Sequence, residues 1–178
     1  MKKIFLNIGE IGVSKEPASF ETILGSCVAV CLWDEMLRIG GINHFMLPTQ
    51  TGCATKPGYY SSSSIDLLIE KLIALGTDRN NLKAKIFGGG MVVKVLYPQF
   101  NIGNENVEMA REKLKEYGIP IVNEFTGSEH GIRLFFHTET GKAYIKCFAI
   151  HKDDPPLMEG PKAETPSTQP RVFEAVEK

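Results

Sequence analysis

The chain has 178 residues, 43% of them hydrophobic, enough for one domain with a sizeable core. Its 20 Lys and Arg oppose 21 Asp and Glu for a net charge of −1, so no global field favours nucleic acid or an anionic membrane. No run approaches the roughly 20 apolar residues that span a bilayer, and Asn7 and Gly9 interrupt the first apolar run below signal-peptide length, so a soluble cytoplasmic protein without membrane insertion is expected.

In chain order, residues 3–8 read as a short strand, and residues 9–12 as a turn into a polar connection through Pro17. The stretch Thr22 to Pro48 follows, with two apolar, β-branched runs flanking Asp34-Glu35. That pattern predicts a strand, a tight reversal and a second strand. Over residues 27–33 both alternating sets are apolar, which predicts a strand covered on both sides in a layered α/β domain.

A reversal centred between Glu35 and Met36 places Cys27 opposite His44, because facing residues then have numbers summing to 71. Facing Cβ atoms lie roughly 4.5–5.5 Å apart, within reach of a thiol–imidazole contact. Changing the loop by one residue on one side would send the two to opposite faces. Gly25-Ser26 before Cys27 would let a substrate approach the backbone, and N–H groups there are candidate oxyanion donors. An imidazole is the usual activator of a thiol that is mostly protonated at neutral pH. From spacing alone, however, a strand cysteine is more often a core residue, so both readings stay open.

The four cysteines, Cys27, Cys31, Cys53 and Cys147, are irregularly spaced and are expected to be free thiols. Cys27, Cys31 and His44 alone, without a CxxC pair, give little ground for zinc. After Pro48 a polar loop runs to Ser64, equally readable as a groove wall or a solvated connection. Residues 63–75 predict a helix with Ile65, Leu68, Ile69, Leu72 and Leu75 on one face, a serine N-cap and Gly76 as its stop. Residues 83–87 predict a strand ending in Gly88-Gly89-Gly90, which lacks the lysine and hydroxyl of a P-loop, so nucleotide binding is not expected.

A second helix is predicted to open at Asn104 or a neighbour, with Val107, Ala110, Leu114 and Tyr117 on its apolar face and Gly118 as its stop. A strand over 119–122, a loop over 124–133 and a hairpin of 132–137 with 142–150 complete the domain, set at residues 1–151. His130 in that loop reads as a surface histidine. Residues 152–178, with Pro155, Pro156, Pro161, Pro166 and Pro170, read as a flexible Pro-rich tail. Val172 to Val176 form a small apolar island within it.

Leu24-Gly25-Ser26-Cys27-Val28-Ala29-Val30, Asp34, Gly40-Gly41, His44 and Leu47-Pro48 closely resemble the CheD family, the chemoreceptor glutamine deamidases of bacterial and archaeal chemotaxis. The resemblance continues through Lys85 to Gly90, Asn101-Ile102-Gly103 with Asn106, and Gly127 with Arg133, covering roughly residues 4–147. Glu124 stands where the family more often has aspartate, Ser128 replaces a glycine, and Ser62 replaces an acidic residue at the helix start.

The resemblance implies an α/β fold, a layered sandwich of mixed β-sheets flanked by two main helices, of the cysteine-hydrolase type. It implies hydrolysis of glutamine side-chain amides on methyl-accepting chemoreceptors, with some members also cleaving receptor methyl esters. Carried over by motif, Cys27 is the nucleophile, His44 the base, and Thr22, the only threonine just upstream, the residue orienting the imidazole. Gly25 and Ser26 support the oxyanion, and no metal or organic cofactor is implied. The rival readings are a regulatory partner of the CheC phosphatase, or a cysteine hydrolase acting on another protein amide or ester.

Overall fold

The computed structural model describes residues 1–49, 57–91 and 101–149. The chain runs through β1 (Lys2–Phe5), β2 (Ile11–Ser14), β3 (Ala18–Leu24), β4 (Val28–Asp34), β5 (Ile39–Asn43) and α1 (Ser61–Ala74). It continues through β6 (Leu82–Gly88), α2 (Ile102–Glu116), β7 (Ile121–Thr126), β8 (Gly131–His137) and β9 (Ala143–Phe148). The Pro-rich segment 152–178, residues 50–56 of the loop after Pro48, and Cys53 lie outside the described residues.

One sheet has the order β1-β3-β8-β9 and the other β2-β5-β4-β6-β7. Each is mixed, because β1 runs parallel to β3 and β6 parallel to β7 among otherwise antiparallel pairs. α1 packs on β2, β5 and β4, and α2 on β6, β4 and β7, so both helices cover the second sheet. The result is the expected α/β sandwich with three layers, sheet, sheet and helices.

The two apolar faces of β4 explain this layering. Val28, Val30 and Leu32 enter a core beneath the helices with Leu68, Leu72, Ala110 and Leu114. Ala29 and Cys31 enter a second core between the sheets with Phe20, Leu24, Leu134 and Phe136. Each large side chain so buried contributes about 1.5–3 kcal/mol, which makes β4 the most firmly specified strand in register and facing.

The hairpin register differs from expectation. Cys31 pairs with Ile42 and Asp34 with Ile39, so paired numbers sum to 73 and the turn holds four residues, Glu35 to Arg38. Asp34 causes the shift, its Oδ1 accepting from the N–H of Met36 at 2.9 Å and of Leu37 at 3.1 Å. Arg38 closes the turn in the left-handed region at φ 57°. A shift of two preserves facing, so side chains stay on the predicted sides.

Other elements also depart from the sequence reading. The supposed turn at 9–12 and the polar connection after it contain β2, whose Ile11 and Val13 pack on the helix-side core as it pairs with β5. Thr22 lies outside the hairpin, in β3 of the opposite sheet, where Phe20 and Leu24 point inward and Glu21 pairs with Arg133 of β8. β7 extends through Glu124 and Phe125, assigned to a loop from sequence, because parallel pairing with Ile86 and Phe87 holds them extended. α1 starts at Ser61 with Tyr60 at its N-cap and no side-chain cap. Its first N–H donates instead to the Leu47 carbonyl at 2.9 Å, so no serine is needed there. Gly76 and Gly118 do end their helices in the left-handed region, at φ 103° and 69°.

Candidate active site

The hairpin ladder stops between Cys31–Ile42 and the next contact, a bridge from Val28 to Phe45. In the gap the Asn43 side chain replaces a backbone carbonyl, its Oδ1 accepting from Val30 N–H at 2.8 Å. The backbone of His44, opposite Ala29 in a non-hydrogen-bonded position, points away from β4 toward the segment that leads into β2. Its N–H donates to Glu10 C=O at 3.1 Å and its carbonyl accepts from Gly9 N–H at 2.7 Å.

Val28 and Phe45 both point to the helix-side core, so Cys27, one residue beyond the bridge, and His44, one residue on its turn side, both point toward the other sheet. Cys27 packs against the inter-sheet core and stays partly exposed. With the sum at 73 they are diagonal neighbours across the pair, Cys27 standing opposite Met46. The direct opposition expected from the sequence is thus corrected by two residues while the shared face is retained.

His44 is 2% exposed, and its Nδ1 lies 2.7 Å from Oγ1 of Thr22, which reaches across from β3. The Thr22 hydroxyl has one proton and donates it to Leu6 C=O at 2.8 Å. Its contact with the ring therefore requires Nδ1–H as donor, which assigns the tautomer and leaves the Nε2 lone pair bare. Nε2 is buried and has no hydrogen-bond partner among the described residues. Burial lowers the His44 pKa to about 4, with the Leu6 carbonyl opposing. Burial likewise raises the Cys27 thiol to about 11, partly offset by its own backbone N–H. At neutral pH the site holds a neutral thiol and a neutral imidazole.

Glycines bring a third strand end against this site. Gly89 and Gly90 N–H donate to the carbonyls of Cys27 and Gly25, both at 2.8 Å. Gly88, at φ 103°, sits where an added Cβ would lie 2.2 Å from the Cys27 carbonyl oxygen, so no other residue fits without displacing the turn. This is the close backbone packing that the family resemblance implies for the glycine run. With the carbonyls of Gly25 and Cys27 so fixed, the N–H groups of Ser26 and Cys27 donate to no other described residue.

Residues 46–147 match the family model for CheD chemotactic sensory transduction, a match that begins just after His44. The chain is 37% identical over 144 residues to the probable chemoreceptor glutamine deamidase CheD 1 of Anaeromyxobacter dehalogenans, covering 81% of this chain and 84% of that protein. It is 40% identical over 155 residues to the probable chemoreceptor glutamine deamidase CheD of Clostridium botulinum strain Hall, covering 84% and 96%. The protein of the same name from Methanococcus vannielii is 37% identical over 142 residues, covering 79% and 92%. This chain belongs to the CheD family.

Of the residues singled out in sequence for a CheD-type site, Thr22 and His44 are hydrogen-bonded, Cys27 shares the sheet face of His44, and Gly25 and Ser26 form the turn that presents Cys27. Cys31 is sealed in the inter-sheet core, and His130 is exposed on the loop after β7. Among the described residues no three His, Cys, Asp or Glu side chains converge as metal ligands. No helix among them is long and apolar enough to cross a membrane.

Sequence reasoning assigned no role to Leu6, whose carbonyl takes the Thr22 proton, or to Asn43. Asn106 was noted only as part of the family pattern. It is fully buried on α2, and its Nδ2 donates to Ser26 C=O at 3.3 Å and Met46 C=O at 2.9 Å.

Proposed function

We propose that this chain hydrolyses the side-chain amide of selected glutamines on methyl-accepting chemoreceptors, giving glutamate and ammonia, as a cytoplasmic chemotaxis enzyme. The names of its CheD relatives support the substrate, and the Thr22–His44 hydrogen bond supports the chemistry. That bond carries the reading, because a ring held by Nδ1–H leaves Nε2 available as a base on the sheet face that Cys27 shares.

The reaction starts from the neutral pair. As Cys27 Sγ attacks the amide carbon, its proton passes to His44 Nε2, and the amide oxygen becomes an oxyanion that accepts from the backbone N–H groups of Ser26 and Cys27. Thr22 receives Nδ1–H throughout and stabilises the imidazolium. Collapse breaks the C–N bond, with the Nε2 proton leaving on ammonia. His44 then takes a proton from water as its oxygen attacks the thioester, and returns it to the departing thiolate. The products are glutamate, ammonia and the original thiol. Each turnover adds one negative charge to the receptor surface and creates a methylatable glutamate.

Mass spectrometry of receptor peptides incubated with wild type and Cys27→Ala tests this. Wild type is expected to add about one dalton at glutamine, the mass change when NH2 becomes OH, and Cys27→Ala to add none. Conversion by both proteins removes Cys27 as nucleophile, and conversion by neither removes the substrate assignment. Binding to the CheC phosphatase, implied by the family resemblance, is a separate property that Cys27→Ala is expected to retain.

A further inference from the structure

The site stands on two chain segments with few direct main-chain bonds to each other. The turn bearing Cys27 precedes β4, and the segment bearing His44 follows β5, both beyond the last ladder pair, Cys31 with Ile42. The main-chain connection between them past the Asn43 insertion is the Val28–Phe45 bridge, with hydrogen bonds of 2.9 and 3.0 Å. That bridge is one point of direct contact, and the other main-chain bonds of the two segments go to Gly89 and Gly90 on one side and to Gly9, Glu10 and Tyr59 on the other. The Asn106 amide adds a second point, because the carbonyls it holds belong to Ser26, one residue before Cys27, and Met46, two residues after His44.

The placement of Asn106 is itself specified. The residue lies on the second turn of α2, which approaches the glycine run so closely that a Cβ on Gly103 would meet the Gly89 carbonyl oxygen at 2.6 Å. Its Oδ1 is buried with no partner among the described residues, so both available hydrogen bonds go through the amide nitrogen. An amide with two N–H donors is the neutral side chain suited to joining two carbonyls. Aspartate would repel them and leucine would leave both unpaired.

We propose that Asn106 is a positioning residue, which sets the separation of the Cys27 thiol and His44 Nε2 by clamping the Ser26 and Met46 carbonyls to one helix. The kinetic part of this rests on the deamidase reading, and the thiol reactivity part does not. Losing the clamp lets the segments rotate about the Val28–Phe45 bridge. Misplacing a reacting pair by about 1 Å costs roughly 100-fold in rate.

The test compares Asn106→Leu and Asn106→Ser with Ala110→Gly, one turn further along α2, which weakens the helix without touching either carbonyl. The readouts are the rate and pH profile of Cys27 alkylation by iodoacetamide, followed by peptide mapping, and kcat and KM for receptor deamidation. Asn106→Leu is expected to lower kcat by about 10- to 100-fold with KM within about 2-fold, and to shift the alkylation pH profile. Asn106→Ser, with a single short donor, is expected to fall the same way and decides the matter if the leucine variant does not fold. Ala110→Gly should keep both readouts within about 2-fold of wild type. Alkylation profiles for the Asn106 variants that match Ala110→Gly would overturn the proposal. A wild type that deamidates no receptor glutamine sinks the functional reading while leaving the alkylation comparison to decide this one.

Discussion

Cys27 and Cys31 lie four residues apart and face the same side, one just before β4 and the other within it, yet they occupy different chemical regions. Cys31 sits within the ladder, paired with Ile42 on one side and Lys85 on the other, and has no exposed surface. Burial drives its thiol pKa far up, with Lys85 opposing only in part. Cys27 sits in the turn just before the ladder, partly exposed, and shares a face with His44. Burial raises its thiol too, to about 11. Neither region holds a resting thiolate, so what separates them is access and a bare imidazole nitrogen. In the proposed mechanism, activation is a property of the pair, made when substrate arrives.

The largest expected effect breaks that contrast directly. Cys27→Ala should lower ammonia release from receptor glutamines by more than about 1000-fold, whereas Cys31→Ala should hold kcat within about 3-fold. A dead Cys31→Ala that still folds would show that the sealed thiol takes part in the chemistry. His44→Ala comes next, with an expected loss of about 100- to 10,000-fold in kcat, the range for removing a positioned base. The loss should shrink as pH rises toward the Cys27 value of about 11, where the thiolate forms without a base.

The His44 region should also show itself in stability. Its pKa is about 4 folded against an ordinary 6.5, so the unfolded chain binds the proton first as pH falls. Stability from this group is full above about pH 6.5, declines below it, and is lost by about pH 4, amounting to about 3 kcal/mol. Urea denaturation at pH 4.5 and 7 measures it, and His44→Gln should flatten that interval. Thr22→Val removes the acceptor of Nδ1–H and the donor to Leu6, at about 1–3 kcal/mol of stability. Its kcat should fall by about 10- to 100-fold while iodoacetamide still reaches Cys27. An unchanged kcat would show that packing alone orients the ring.

Much of this contrast was legible from residue order. The two apolar sets along 28–32 require cover on both faces, and the parity of the hairpin put Cys27 and His44 on one side even though the register was off by two. The error came from Asp34, whose side-chain bonds to two N–H groups add residues to the turn, a local choice that alternation does not record. β2 and β3 were harder to see because Gly12, Ser14, Ser19 and Thr22 interrupt their apolar pattern, and it is pairing with distant β5 and β8 that makes them strands. Asn43 and Asn106 act through carbonyls and N–H groups 13 to 80 residues away. No spacing rule connects such partners, so their roles emerge only in three dimensions.

The smallest effect sharpens the comparison from the other side. Cys31→Ala removes one sulfur from a fully packed position between the sheets, and by analogy with other small core truncations should cost about 1–2 kcal/mol. Peptide mapping after iodoacetamide treatment of native wild type should find Cys27 modified and Cys31 untouched, with Cys31 reacting only at the rate of global unfolding. Raising the pH from 8 toward 10 should speed modification of Cys27 steadily, since its thiol titrates near 11, and leave the protection of Cys31 in place until the fold is lost. Modification of both at equal rates would mean that the end of the hairpin opens as far as the Cys31–Ile42 pair. The boundary between the reactive and the inert region would then lie deeper in the ladder than the Asn43 insertion places it.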